Sequence, residues 1–395
     1  MNTSHVIGAD RTPRGTLAML ASLAALGSLA TNIILPAFAD IGLALSVSTR
    51  ELAVTLSSFF IAFAFGQLLV GPASDRWGRR WLVLGGLAVL AAGSAVCASA
   101  DRLEWLVAGR VIQGLGACAT SVLARSIARD LFDGAALSRA LAFIMVAMAA
   151  APGFSPLLGG LLSRAAGWRG TFWLVAVIAA LLASLYLLRM GETHPFGARR
   201  RATFGETLLN YVRLLVDRRF ASPALGVSMA VGGLFAFFAS APAILMDEMG
   251  LTPIELGYFF AATVFVVFGA GIAAPRLAAR RGPKVAALAG SGIALAGGVV
   301  LLGGPAGLIP FSLSLVVFLF GIGLVNPLGT AMTLQPFGAQ AGTASALLGF
   351  LQMGMATIAI SMAAALDGPA HLALGGVLVV CMGASVAALL FCSER

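Results

Sequence analysis

The stretch GPASDRWGRR, Gly71–Arg80, places one carboxylate and three guanidiniums between two apolar runs. FFIAFAFGQLLV precedes it and WLVLGGLAVLAAG follows, and neither contains a charged residue. Arg76, Arg79 and Arg80 suit a segment at an anionic membrane surface. Asp75 does not, and an acid among bases calls for a separate role. Arg110 is a second unusual charge, inside the apolar stretch WLVAGRVIQGLG. Gln113 lies three residues on, on the same helical face. That pair faces a polar cavity and organises water, substrate or a proton relay, or else the arginine bonds backbone carbonyls. The chain shows no serine–histidine, metal-ligand or paired-carboxylate constellation, and no GxxxxGK[ST] phosphate loop. Enzyme activity, a metal site, a bound cofactor and ATP hydrolysis are therefore not expected.

The elements that must position these residues follow from composition. Of 395 residues, 59% are hydrophobic and 10% charged, against roughly 25% charged in soluble domains. So few charges cannot clothe a water-exposed surface, and much of the exterior must face lipid. The net charge of +9 does not point to nucleic acid, because the bases flank apolar runs and no polar basic domain exists. The four cysteines, Cys97, Cys118, Cys381 and Cys392, lie in or beside apolar runs without CxxC spacing, as small buried residues do. The first apolar run is followed by many others, so it reads as a membrane span and not as a cleaved signal peptide.

A helix needs about 20 apolar residues to cross the hydrocarbon layer. Twelve runs qualify: 16–38, 52–72, 82–100, 105–124, 140–162, 170–188, 222–246, 256–275, 285–303, 307–331, 342–365 and 371–392. The expected fold class is an all-α membrane protein of twelve transmembrane helices in two pseudo-symmetric six-helix bundles. Odd-numbered connections carry few arginines (Arg50, Arg102, Arg164, Arg169), whereas the even-numbered ones and the termini hold most of the rest. Both termini are therefore expected in the cytoplasm. The one long connection, about 190–221, contains Arg199–Arg201 and then TFGETLLNYVRLLVDRRF. Thr203 and Glu206 have capping-box spacing, and Leu208, Leu209, Val212 and Leu215 share a face. This predicts a short amphipathic helix on the inner membrane surface, or else a flexible linker. It divides the chain into a bundle over 1–190, a linker over 191–221 and a bundle over 222–395. An internal echo supports two related halves: with Gly78 aligned to Gly282, Arg76 falls over Arg280 and Arg80 over Lys284, but Asp75 over Ala279.

The layout and motifs resemble the major facilitator superfamily along nearly the whole chain. Gly71-x-x-x-Asp75-Arg76-x-Gly78-Arg79-Arg80 is similar to its signature loop between spans two and three. Arg110-Val-Ile-Gln113-Gly114-Leu-Gly116 resembles the span-four motif of its drug–proton antiporters. Ala151-Pro152-Gly153-Phe154-Ser155-Pro156-Leu157-Leu158-Gly159-Gly160 resembles the span-five antiporter motif, with Ser155 where a glycine is usual. Ile34-Leu35-Pro36-Ala37, Asn326-Pro327 and Gly342-Thr343-Ala344-Ser345-Ala346 look like the bicyclomycin/chloramphenicol-resistance branch.

The resemblance implies that Asp75 lies at the cytoplasmic seam between the halves. Gly71 and Gly78 would allow close helix approach and a tight turn. The first turn of span eleven, near Gly342 and Thr343, is the expected target of Asp75, because its free N–H groups carry partial positive charge. That contact is worth roughly 0.3–1 kcal/mol, up to about 2 if partly buried. Arg129, on the loop after span four, would add an ion pair. Such a latch holds an inner gate shut yet lets it open; the alternative is a topology anchor with no gating role.

Within the twelve spans Arg110 is the one formal charge. Related exporters often carry an acid in span one, at a position aligned with Asn32, and asparagine cannot take a proton. Coupling then runs through a rim acid, Glu51 or Glu255, or through substrate charge, or the protein is a uniporter. Phe59, Phe63, Phe235, Phe238 and Tyr258 are candidates for an aromatic pocket, with Asn32, Gln113, Asn326 and Gln352 as polar anchors. Pro152, Pro156, Gly159 and Gly160 would bend span five and pack it closely. The resulting expectation is a monomeric exporter in the bacterial cytoplasmic (inner) membrane. Its partners would be a small lipophilic substrate, drugs and antibiotics among them, protons and the lipid bilayer. Export of one endogenous metabolite, such as a sugar or amino-acid derivative, is the alternative.

Overall fold

A computed structural model describes residues 13–194, 204–305 and 307–392. His5, Arg199–Arg201 and the proposed capping residue Thr203 lie outside the described residues. The helices are α1 Pro13–Asn32, α2 Phe38–Leu45, α3 Ala53–Trp77, α4 Arg79–Ala98, α5 Leu103–Leu131 and α6 Gly134–Arg189. They continue with α7 Phe204–Val216, α8 Arg218–Ala241, α9 Pro253–Arg281, α10 Pro283–Gly303, α11 Leu308–Leu334, α12 Ala341–Ala365 and α13 Ala370–Leu390. No strand occurs among the described residues, as lipid-facing backbone requires.

Eleven helical stretches are long and apolar enough to cross a membrane. One of them lies in α6, whose 56 residues would measure about 84 Å, far beyond a hydrocarbon layer of about 30 Å. α6 breaks at Gly167, where φ is 72° and ψ 169°, so its arms 134–166 and 168–189 are separate crossings. The described residues thus contain twelve.

Two boundaries depart from the sequence expectation. The first crossing ends at Asn32 and not near residue 38. Pro36, with no N–H, cannot bond the Asn32 carbonyl, and the chain passes through the short turn Leu35–Ala37 into α2. The fourth crossing continues to Leu131 instead of stopping at 124. Hydropathy falls there because arginines begin, yet the helix does not end, so Arg129 lies on α5 and not on a loop.

In the first half α5 packs on α3 and α4, and α6 on α1 and α4. In the second half α11 packs on α10, and α8 on α12 and α13. The two sets meet mainly along α3–α12 and α6–α9. Small residues allow these approaches: a Cβ on Gly321 of α11 would stand 2.6 Å from the Ala294 nitrogen of α10. The turns after α3 and α9 share one backbone shape, with φ/ψ of 94°/166° at Gly78 and 84°/152° at Gly282. Both are glycine conformations, at the positions the sequence echo aligns. Large side chains such as Phe265, Ile309 and Leu181 point outward, as a lipid-facing surface should.

α7 buries Tyr211 and Leu214 against the helices and leaves Leu208, Leu209, Val212 and Leu215 exposed. The Tyr211 hydroxyl donates to the Leu68 carbonyl of α3 at 3.1 Å. Burial, and next the negative charge of Asp75, push its pKa up to about 12.

Candidate functional site

A cavity of about 360 Å³ lies between the two sets of helices. Asn32, Phe59, Phe63, Pro152, Phe235, Asn326 and Gln352 all line it. Asn32 Nδ2 donates to the Ser28 carbonyl at 2.9 Å, while its buried Oδ1 has no partner. The remaining walls include Phe60, Met145, Met148 and Met353. Two of the five aromatic candidates fall elsewhere. Phe238 stacks with Phe237 and Phe260 behind the wall, and Tyr258 is 62% exposed on the outside of α9.

Arg110 and Gln113 do not face this cavity, contrary to the sequence expectation. Arg110 is fully buried. Its Nη1 donates to the Ala30 carbonyl and to Gln113 Oε1, both at 2.8 Å; Nε reaches the Thr55 carbonyl at 3.2 Å and Nη2 the Thr31 carbonyl at 3.4 Å. Ala30 and Thr31 are in the last turn of α1, where carbonyls run out of helical partners. The guanidinium sits 4.5 Å from the Phe59 ring centroid, and Gln113 Nε2 donates to Ser94 Oγ at 2.7 Å. Arg110 is thus a buried cap that ties the end of α1 to α3 and α5, with the favourable sign for a helix C-terminus.

Even-numbered connections, with their arginines, share one end of the molecule. There a second cavity of about 380 Å³ opens between α3, α5 and α12. It shares Gln67, Arg125, Arg129 and Ser345 with the central cavity, so the two are continuous. Asp75 and Thr343 lie on its walls, but no bond joins Asp75 to α12 among the described residues. Asp75 Oδ1 instead pairs with Arg79 Nη1 at 2.7 Å. Arg79 was expected at the wet surface. It is buried, with its Nε 3.0 Å from Asp130 Oδ2 and its main-chain N–H donating to Glu192 at 2.8 Å. Arg129 makes no ion pair with Asp75. Arg76 is exposed beside Trp77, and Arg80 stacks near Trp81. Gly71 was expected at a close approach, but a Cβ there would meet nothing within 4 Å, because the helices are parted on that side.

The opposite end is closed. Arg50 donates from Nη1 and Nη2 to the carbonyls of Leu366 and Gly368 at 3.0 and 2.7 Å, and Thr49 bonds Asp247. Below them α6 meets α1 and α9: a Cβ on Gly159 would overlap the Ile33 carbonyl oxygen, and one on Gly160 would stand 2.8 Å from that of Pro253. Pro152 and Pro156 lie on the same arm, which keeps helical dihedrals throughout; the break comes after it, at Gly167. Glu51 and Glu255 are local helix caps. Glu51 accepts from Ser48 N–H and Oγ, both at 2.7 Å, which hold its carboxyl below the usual range. Glu255 forms a capping box with Thr252. Neither faces the cavity.

Sequence reasoning missed Arg125, Gln67 and the Thr49–Arg50 latch. Arg125 was cut off by ending span four at 124, although Ser121, Arg125 and Arg129 recur every four residues, the signature of one polar helix face.

A family model described as the Major Facilitator Superfamily matches residues 20–360. The chain belongs to this superfamily. An uncharacterized MFS-type transporter, YdgK of Bacillus subtilis, is 32% identical over 349 residues, with 86% of each chain covered. A bicyclomycin resistance protein homolog of Haemophilus influenzae is 26% identical over 383 residues, 96% of each chain. A bacterial homolog of the human lysosomal transporter Spinster, solved inward-facing and unoccupied, superposes with a TM-score of 0.74 at 17% identity over 98% of this chain and 95% of that one. The protein is therefore a multi-pass membrane protein of the superfamily and not an enzyme.

Proposed function

We propose that the chain exports small lipophilic compounds, antimicrobials among them, from the bacterial cytoplasm by alternating access. The helices over 1–190 and 222–395 act as two rocking bodies joined by the linker 191–221, with both termini and the arginine-rich end in the cytoplasm. One observation carries this reading: the central cavity is latched at the Arg50 end and continuous with the opening at the Asp75 end. Closing that opening would bring Asp75 toward Thr343 and let the Arg50 latch release. The names of relatives, including a bicyclomycin resistance protein homolog, support a drug-like substrate. Among the coupling routes, proton exchange through Glu51 or Glu255 receives no support from their positions as exposed caps. The cavity's own charges are arginines, which favours coupling through the charge of the substrate. The test is a growth screen of efflux-deficient cells carrying the gene against many antimicrobials, paired with uptake into everted vesicles. Protection against at least one compound, with saturable uptake, is expected. Protection against none would refute drug export, and resistance insensitive to collapse of the pH gradient would refute proton exchange.

A further inference from the structure

Arg125 and Arg129 stand out among the buried and cavity-facing charges. The other arginine lining the connected cavities, Arg79, holds Asp75 and Asp130, and the buried Arg110, on the same helix as Arg125, holds carbonyls. Arg125 and Arg129 both face the central cavity, one helical turn apart on α5, and neither has a hydrogen bond or ion pair to another described residue. The central cavity's lining contains no carboxylate among the described residues; Asp75 and Asp130 line the connected opening, where their charges act on Arg129 but not on the deeper Arg125. The central cavity's other walls mix four phenylalanines and three methionines with small aliphatic residues and uncharged polar ones such as Asn32, Ser121, Asn326 and Gln352. Two guanidiniums on one face of the cavity create a focused positive field, and Arg125, the more buried of them, has no carboxylate beside it as counter-charge, which is costly for a cation withdrawn from water. The protein leaves that counter-charge to be supplied by a ligand.

We propose that the substrates are organic anions: a carboxylate, sulfonate or phosphate on a drug-sized apolar body, bound through Arg125. This rests on the export reading above and names its substrate class. Both arginines border the opening, but Arg129 is the more exposed of the two, so it meets the anion first. Arg125 lies about 6 Å deeper along the helix and takes it over, as the apolar body reaches Phe59 and Phe63. The planar guanidinium suits a bidentate grip on such a head. The same assignment supplies a driving force. A monovalent anion leaving a negative interior gains about 50-fold in accumulation per 100 mV, with no proton carrier needed in the cavity.

The binding test uses purified protein in phosphatidylcholine nanodiscs. Three radiolabelled probes share one ring system: 1-naphthaleneacetate, its neutral amide, and 2-(1-naphthyl)ethylamine. The carboxylate is expected to bind at least tenfold tighter than the amide or the amine. Arg125→Gln should weaken it on the order of 10- to 100-fold with an unchanged melting temperature, and Arg125→Lys should restore part of the loss. Equal binding of the amide or amine, no saturable binding of the carboxylate, or an Arg125→Gln protein that binds it normally would overturn the proposal. Anionic lipids carry the same chemistry. Loss of probe binding when phosphatidylglycerol is added would assign the site to lipid and overturn the substrate assignment. In proteoliposomes a valinomycin-set potential should drive the anion from the negative side at zero pH gradient; transport driven by a pH gradient alone, with the potential clamped at zero, would overturn the driving force. Export of a neutral or cationic compound together with failure of these tests sinks only this inference. Failure to move any compound sinks the export reading itself.

Discussion

Replacing Arg110 by methionine separates a structural cap from a transport group. Methionine has comparable reach and no donors, so the change removes the guanidinium while filling much of its space. The Thr55 carbonyl also accepts from Ser58 Oγ at 3.1 Å and keeps a partner. Gln113 Oε1 keeps the Cys97 thiol at 3.7 Å, but the carbonyls of Ala30 and Thr31, in the last turn of α1, lose the guanidinium. One buried polar group left unsatisfied costs about 1–3 kcal/mol, so two cost about 2–6 kcal/mol, before any loss of the contact with the Phe59 ring. Lysine can present one compact ammonium to one or two of these acceptors, so Arg110→Lys should recover roughly half. The measurement is equilibrium unfolding in mild detergent titrated with sodium dodecyl sulfate, followed by tryptophan fluorescence, alongside transport. The expected result is a stability loss in that range, with transport falling in step and restored by conditions that stabilise the fold. An Arg110→Met protein of unchanged stability that fails to transport would refute the cap and return the guanidinium to the transport step.

The other expectations are more local. Arg50→Ala removes two charge-assisted bonds across the closed end, on the order of 1–2 kcal/mol, and should shift the balance toward an opened end by roughly 5- to 30-fold; spin-label distances across α2 and α13 measure it, and an unshifted distribution counts against the latch. Asp75→Ala should insert normally yet lose most transport, and a well-expressed variant with normal transport would remove Asp75 from the gate. Gly159→Ala should cost about 1–3 kcal/mol, because the new methyl group meets the Ile33 main chain. Gly269→Ala, with open space around it, should be neutral or slightly stabilising, so equal effects would argue against close packing at Gly159. The folded-state pKa of Tyr211 lies above the ordinary phenol value of about 10, so its contribution is fully present below pH 10 and lost as pH rises toward 12. Melting curves of wild type and Tyr211→Phe should therefore keep a constant offset up to about pH 9 and converge above pH 10.

Much of the architecture is legible in the sequence. Twelve crossings, the break between spans five and six, and the paired turns at Gly78 and Gly282 follow from runs of apolar residues and from glycine placement. The boundary errors share one cause. Hydropathy marks where a helix leaves lipid, whereas the helix itself ends only where a backbone partner or a proline stops it, as at Pro36 or past Leu131. Pocket membership was read less well. Asn32, Phe59, Asn326 and Gln352 do line the cavity, but Phe238 and Tyr258 do not, because aromatic content is the same on faces that meet lipid, a neighbour or the cavity.

Composition and periodicity alone determined that this chain lives in a bilayer, how often it crosses and which connections are basic, because the transfer of side chains between water and lipid is a property of each segment by itself. Which charge serves which purpose was decided only by the tertiary structure. Arg110 and Arg125 stand fifteen positions apart on one helix, about four turns. One is spent on the carbonyls where α1 ends, and the other faces the central cavity with no hydrogen bond or ion pair to another described residue. That difference depends on what the neighbouring helices present to each face, which no single stretch of sequence contains.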